Sequence, residues 1–181
     1  AMCPGTQPTR NNMAKTEMEI GITIRHSAWR TALPDARRVT RKAALAALAS
    51  TAAPNANELA VVLADDALLR SLNADYRGID KATNVLAFAY ADSKPPPFES
   101  DALGDVVISL ERTADEANNS GLSLGEHLSH LVIHGVLHLL GYDHGNARDA
   151  KTMEELEIRA LAGIGISNPY VPESAVKSDD G

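Results

Sequence analysis

The sequence predicts one domain built of both helices and strands, organised around a single buried helix that carries histidines. Three observations lead there. At 181 residues and 44% hydrophobic, the chain can bury a core without disulfide or metal staples. Four short apolar runs are interspersed with longer stretches of helical periodicity. Three of the six histidines fall within the eleven positions from His134 to His144.

Taken in order, residues 1–17 form a Pro/Thr/Asn-rich leader expected to be disordered, and Ala1 before Met2 marks an expression scar or a processed end. The isoleucines of Ile20-Gly21-Ile22-Thr23-Ile24 alternate, which marks a strand with one buried face. His26 and Trp29 follow in a connector, and Pro34-Asp35 opens an Ala/Leu-rich helix to about Ser50. A turn at Asn55 to Asn57 leads into the strand Leu59 to Leu63, after which Asp65 caps a helix ending near Tyr76. Arg77 to Asn84 is a polar loop that delivers the chain into the strand Val85 to Tyr90. Pro95-Pro96-Pro97 marks an exposed excursion before the strand Asp105 to Ile108, and the spacing allows these two strands to pair antiparallel. Leu110 to Asn118 is helical and ends at Asn119-Ser120-Gly121. Ser123 and Glu126 form a capping box for the histidine helix, Leu124 to Leu140. An acidic amphipathic helix from Arg148 to Leu161 stops at Gly163, and from Asn168-Pro169-Tyr170 onward the chain reads as loose, with 171–181 a flexible tail. The folded domain is therefore expected over 18–170.

Charge narrows the partners. The net charge of -7 argues against a protein that coats nucleic acid, yet residues 1–50 carry +5 and the remainder -12. Arg37, Arg38, Arg41 and Lys42 share one predicted helix, and they fit a phosphate-binding face and an ordinary solvated face equally well. A lone Cys3 cannot form an internal disulfide and fits a reducing compartment. No apolar run reaches the ~18 residues of a membrane span, nor does the leader hold a secretory core. A soluble, cytoplasmic protein is the expectation.

On a helix, His134 and His138 stand about 6 Å apart along the axis on one face and can converge on a cation. His130 shares that stripe but lies two turns from His138, too far to join metal–nitrogen bonds of about 2.0–2.1 Å. Gly141 stops the helix in the left-handed conformation, and three residues later His144 can return to the pair. Three neutral imidazoles suit zinc, leave a position open for water, and supply a Lewis acid for hydrolysis.

The i, i+4, i+10 spacing with a glycine before the third histidine matches the ligand pattern of the metzincin proteases. Their general-base glutamate would fall at Gly135, and glycine cannot move a proton. Phosphodiester cleavage needs a cation on the phosphate oxygens. Arg77 has the planar fork for that, although pairing with Asp75 or Asp80 would be an equally ordinary use of it.

Three motifs carry a wider resemblance. Leu72-Asn73-x-x-Tyr76-Arg77-x-x-Asp80-x-x-Thr83-Asn84-Val85-Leu86-x-Phe88, Leu103-Gly104-Asp105-x-Val107-Ile108 and His134-Gly135-x-Leu137-His138-Leu139-Leu140-Gly141-Tyr142-Asp143-His144 resemble the YbeY family of ribosomal RNA maturation endoribonucleases over about Ile20 to Tyr170. The resemblance implies an α+β, zincin-like fold with a small mixed sheet, one zinc ion on His134, His138 and His144, and single-stranded ribosomal RNA rather than DNA as substrate. It further implies Arg77 as the catalytic or phosphate-binding residue. Small-subunit 3′-end maturation and ribosome quality control come with it, with small-subunit proteins and assembly factors as partners and Asp105 as a candidate docking residue. Ala82 and Ala89 stand where the family usually has proline, and Ala87 where it usually has serine. Asp143 and His130 are candidates for proton transfer or for supporting a ligand. Two other readings fit the same residues: another metal hydrolase, such as a peptidase with an unconventional base, and a non-catalytic assembly factor whose zinc only pins the helix end.

Overall fold

The computed structural model describes residues 17–52, 54, 56–92 and 101–171. Cys3 and nearly all of the leader, Asn55, Pro95 to Pro97 and the tail from 172 lie outside the described residues. Strands β1 (Glu19–Ile24), β2 (Glu58–Ala64), β3 (Val85–Ala89) and β4 (Ala102–Ser109) form one sheet in the order β1-β2-β4-β3. The pairs β1/β2 and β2/β4 are parallel, with Ile22 opposite Val61 and Val61 opposite Val106. Strand β3 runs antiparallel to β4, so the sheet is mixed and the α+β expectation holds.

Helices α1 (Ala28–Ala32), α2 (Ala36–Ala49), α3 (Asp66–Arg77), α4 (Leu110–Ser120), α5 (Leu124–Leu139) and α6 (Ala147–Gly163) surround it. Inward-facing Ile20, Ile22, Leu59, Val61, Val106 and Ile108 meet Leu128, Val132, Val136, Met153 and Leu161 in the main core. Ala43, Ala44 and Ala47 are fully buried in that core, and their small size lets α2 lie close to α5. On the other face, Leu69 of α3 packs with Ala64, Leu86 and Val107 in a smaller cluster.

Three local readings need correction. Trp29 does not sit in a connector: it belongs to α1, is fully buried, and donates its indole N–H to the Ala64 carbonyl at 2.9 Å. Tyr90 leaves the sheet and opens a 3-10 turn, Tyr90–Asp92. Arg77 ends α3 rather than beginning the loop, because Gly78 takes the left-handed conformation (φ 68°) that stops the helix. Of the two readings for the basic residues of α2, the solvated face fits: Arg37, Arg38, Arg41 and Lys42 are all exposed, and Arg37 and Arg41 donate to the carbonyls of Ile22 and Ile20, Arg38 pairs with Asp35, and Lys42 reaches the Ile164 carbonyl at 3.3 Å. Strand β1 is an edge, and carbonyls taken up by arginines no longer offer a free template to another chain.

Candidate metal centre

Helix α5 starts where the capping box predicts: Ser123 N–H donates to Glu126 at 2.8 Å and Glu126 N–H to the Ser123 hydroxyl at 3.2 Å. It is apolar almost all round, with Leu128, Val132, Ile133, Val136 and Leu137 fully buried, so it runs through the middle of the protein. At Gly135 it presses on the sheet. A Cβ there would stand 2.6 Å from Cγ1 of Val106, closer than carbon atoms can pack. Position 135 thus has no room for a catalytic side chain, and the glycine that removes a base also lets the helix approach β4.

After α5 the chain closes on itself through Gly141 N–H to the His138 carbonyl (3.0 Å) and Tyr142 N–H to the Leu137 carbonyl (3.1 Å), with Gly141 at φ 93°. Asn146 then caps α6 by accepting from the N–H groups of Arg148 and Asp149, both at 3.0 Å. This short return brings His144 back over the helix end, its ring 5.6 Å from that of His134 and 5.2 Å from that of His138. One ring nitrogen from each of the three lies within 4.8 Å of the others, and the Nε2 atoms of His134 and His138 are 3.1 Å apart. Nitrogens bound tetrahedrally to zinc at about 2.0–2.1 Å lie about 3.3 Å apart. The donor set fits a metal ion.

Beneath His134 lies a residue that the sequence reading missed. Glu157 of α6 is 1% exposed, and its Oε1 is 2.6 Å from Nδ1 of His134. Its Oε2 accepts from the Tyr170 hydroxyl and lies 2.9 Å from Nε2 of His130. Burial alone would raise the Glu157 pKa, but the hydrogen bonds from His130, His134 and Tyr170 outweigh it and bring the pKa down to about 2. An ionised carboxylate only accepts, so the His134 proton belongs on Nδ1 and its Nε2 lone pair is free to point at the cleft. His138 lies below its ordinary pKa, first through burial and then through His134 and His144, while the Asp143 charge and a hydrogen bond with the backbone of Tyr142 pull the other way. Burial and the nearby Glu157 push the Tyr170 hydroxyl upward. One signal for Glu157 did exist in the sequence. It falls on the buried stripe of Met153, Ala160 and Leu161, where a carboxylate demands partners.

The histidines open onto a cleft of about 560 Å³ that Arg77, Asn84, Asp92 and Asp143 also line. Arg77 is exposed. Its alternative partner Asp80 is taken by Arg70 at 2.6 and 2.8 Å, and among the described residues Arg77 has no hydrogen bond or ion pair. Asn84 is committed to its own surroundings: its amide donates to Glu116 at 3.0–3.1 Å and its oxygen accepts from Val85 N–H at 2.7 Å. Asp143 faces the cleft and accepts from His144 N–H at 2.7 Å. His130 does not line it. Asp105 pairs with Phe88 across β3/β4, next to Val106, which packs on α5; Asp105 therefore faces away from the histidines, and it accepts from the Tyr90 hydroxyl at 2.9 Å.

A family model described as Endoribonuclease YbeY matches residues 22–165. The chain is 48% identical over 157 residues to the Endoribonuclease YbeY of Paramagnetospirillum magneticum, covering 84% of this chain and 96% of that one. It is 43% identical over 155 residues to that of Azorhizobium caulinodans, with the same coverages of 84% and 96%. Among solved structures, it is similar to the solution structure of TM1509 from Thermotoga maritima, with a TM-score of 0.47 and 19% identity over 81% of this chain and 91% of that one.

Proposed function

Because the chain belongs to the endoribonuclease YbeY family, we propose that its cleft cuts single-stranded ribosomal RNA, with His134, His138 and His144 holding one zinc ion and Arg77 gripping the phosphate. The family makes the protein a hydrolase of RNA phosphodiester bonds that acts in ribosomal RNA processing. What supports the site assignment is one juxtaposition: three imidazoles converging in the same cleft as an arginine that nothing else in the described fold uses.

A divalent ion bound there would supply Lewis acidity to a phosphate oxygen and acidify water. The rest falls to the chain. Glu157 keeps His134 in the tautomer that offers Nε2. Arg77 can meet two phosphate oxygens in parallel and counter the charge that grows as the bond breaks. Asp143 lines the cleft and is the proton-transfer candidate, whereas His130 belongs to the support beneath His134. The metzincin route to peptide hydrolysis lacks its base, since Gly135 is packed against Val106. A purely structural zinc would have no use for an open cleft with a free guanidinium at its edge.

The same reading extends to small-subunit 3′-end maturation and quality control in the cytoplasm, alongside small-subunit proteins and assembly factors. No described helix is long and apolar enough to cross a membrane. Asp105 remains the docking candidate, and a partner there would compete with Tyr90 for its carboxylate. The test is cleavage of single-stranded RNA, duplex RNA and a peptide library by the purified chain, with chelator and with zinc restored. Cleavage of single-stranded RNA alone, lost on chelation and regained with zinc, is expected. Cleavage that survives complete metal removal, or peptide cleavage instead, would overturn the reading.

A further inference from the structure

Helix α6 and the segment after it hold a polar cluster that lies outside the cleft yet touches one of its histidines. Glu157 is a buried carboxylate with three partners on two oxygens: His134 Nδ1 at 2.6 Å on Oε1, and His130 Nε2 at 2.9 Å with the Tyr170 hydroxyl on Oε2. Tyr170 reaches it from beyond the end of α6. Ile166 N–H returns to the Leu161 carbonyl at 3.0 Å, and Tyr170 N–H bonds the Asn168 side chain at 2.9 Å, a turn that spans Pro169. The segment expected to be loose is therefore tied down at this point. Tyr170 is still 46% exposed, so its hydroxyl is inside while part of the ring remains in water. Its ring also meets His130 edge to face, with centroids 5.7 Å apart.

We propose that Glu157 is the positioning residue of the metal centre and that Tyr170 is a latch through which the segment after α6 sets how firmly that residue holds His134. A carboxylate buried this deeply is stable only if each oxygen finds donors. Here three donors come from three places: two turns of α5 and the segment after α6. Oxygen Oε1 selects the His134 tautomer and ring angle, while Oε2 is held by His130 and Tyr170, which keeps the carboxylate from rotating away. Among the described residues, removing the Tyr170 hydroxyl leaves His130 to anchor Oε2, and the carboxylate gains freedom to leave His134. The proposal rests on the reading of His134 as a metal ligand, and supporting groups of this kind typically change metal affinity by about 10–100-fold.

The experiment uses the full chain and two variants, Glu157→Met and Tyr170→Phe. Methionine removes both carboxylate oxygens while filling much of the same space, and phenylalanine removes one hydroxyl from a half-exposed ring. Zinc affinity is measured by competition with a chromophoric chelator. The His134 tautomer is read by imidazole nitrogen NMR on the metal-free protein, and folding by circular dichroism. Glu157→Met is expected to lose about 10–100-fold in zinc affinity and the Nδ1–H preference of His134; Tyr170→Phe should lose less, under about tenfold, with its fold unchanged. Wild-type zinc affinity in folded Tyr170→Phe overturns the latch, and an unaltered His134 tautomer in folded Glu157→Met overturns the positioning role. Should Glu157→Met fail to fold, Tyr170→Phe decides alone: the expected loss of affinity supports the proposal and wild-type affinity overturns it. Failure of the underlying metal reading looks different, because the wild-type chain would then bind no zinc.

Discussion

On the floor of the cleft, His134 is held at 2.6 Å by a carboxylate that is 1% exposed and has two further donors. On the rim, Arg77 ends α3 in solvent with no hydrogen bond or ion pair among the described residues. The floor is built from α5 and α6, packed in the main core, with the exposed return that carries His144 between them, and the rim from a helix end and a loop. Each arrangement suits its task. Metal ligands work when their geometry is set before the ion arrives, whereas a phosphate-binding arginine already paired to an aspartate would have to break that pair for every substrate. Arg70 keeps Asp80 occupied at 2.6 and 2.8 Å and so leaves Arg77 free.

Removing a floor ligand should have the largest effect. His138→Ala should lower zinc affinity by more than the roughly 10–100-fold typical of losing a supporting partner, while the metal-free protein stays folded. Chelator competition and thermal unfolding measure the two halves of this statement, and near-normal affinity would remove His138 from the ligand set.

Next comes the rim. Arg77→Ala should cost about a hundredfold or more in turnover at saturating single-stranded RNA and leave zinc content unchanged; Arg77→Lys, which keeps charge without the fork, should fall between. Wild-type turnover at full zinc occupancy would take Arg77 out of the mechanism. Loss of zinc in the same sample would make it part of the floor.

Acid separates two events on the floor. Zinc affinity should decline as the solution is acidified, because only neutral imidazoles bind. Stability of the metal-free chain should respond lower down. The folded Glu157 pKa, about 2, lies below its ordinary 4.5, so the stabilisation it brings is complete above 4.5 and is lost as pH falls from there toward 2. Urea unfolding across that range should show the decline, and Glu157→Met should flatten it. An equal slope in both proteins would mean that other carboxylates, such as Glu126, carry the effect.

The smallest expected change is at Gly135. Alanine there gains about 1 kcal/mol of helix propensity, but its Cβ meets Val106 at 2.6 Å, and such overpacking costs about 1–3 kcal/mol. A melting point lowered by a few degrees is the expected outcome; a higher one would show that Val106 yields freely.

Features that repeat within one element were legible in the sequence. Alternation in Ile20 and Ile22 marked β1, Ser123 and Glu126 marked the start of α5, and the spacing of His134, His138 and His144 around Gly141 marked the cluster. Each of these depends on the 2- or 3.6-residue period, or on one turn, and so on neighbours in the chain. Motifs carried by a family resemblance took the reading to ribosomal RNA cleavage, which composition and spacing alone left open. Tertiary structure decided the rest. Glu157 meets His134 across 23 positions, Trp29 finds the Ala64 carbonyl across 35, and Lys42 reaches Ile164 across 122. It also drew exposed Arg37 and Arg41 of α2 onto the β1 carbonyls and made Gly135 a packing residue against Val106. The physical reason is common to all of them. A side chain's local period says which face of its element it occupies, but its partner is set by which other element is packed against that face, and that is a property of the folded chain alone.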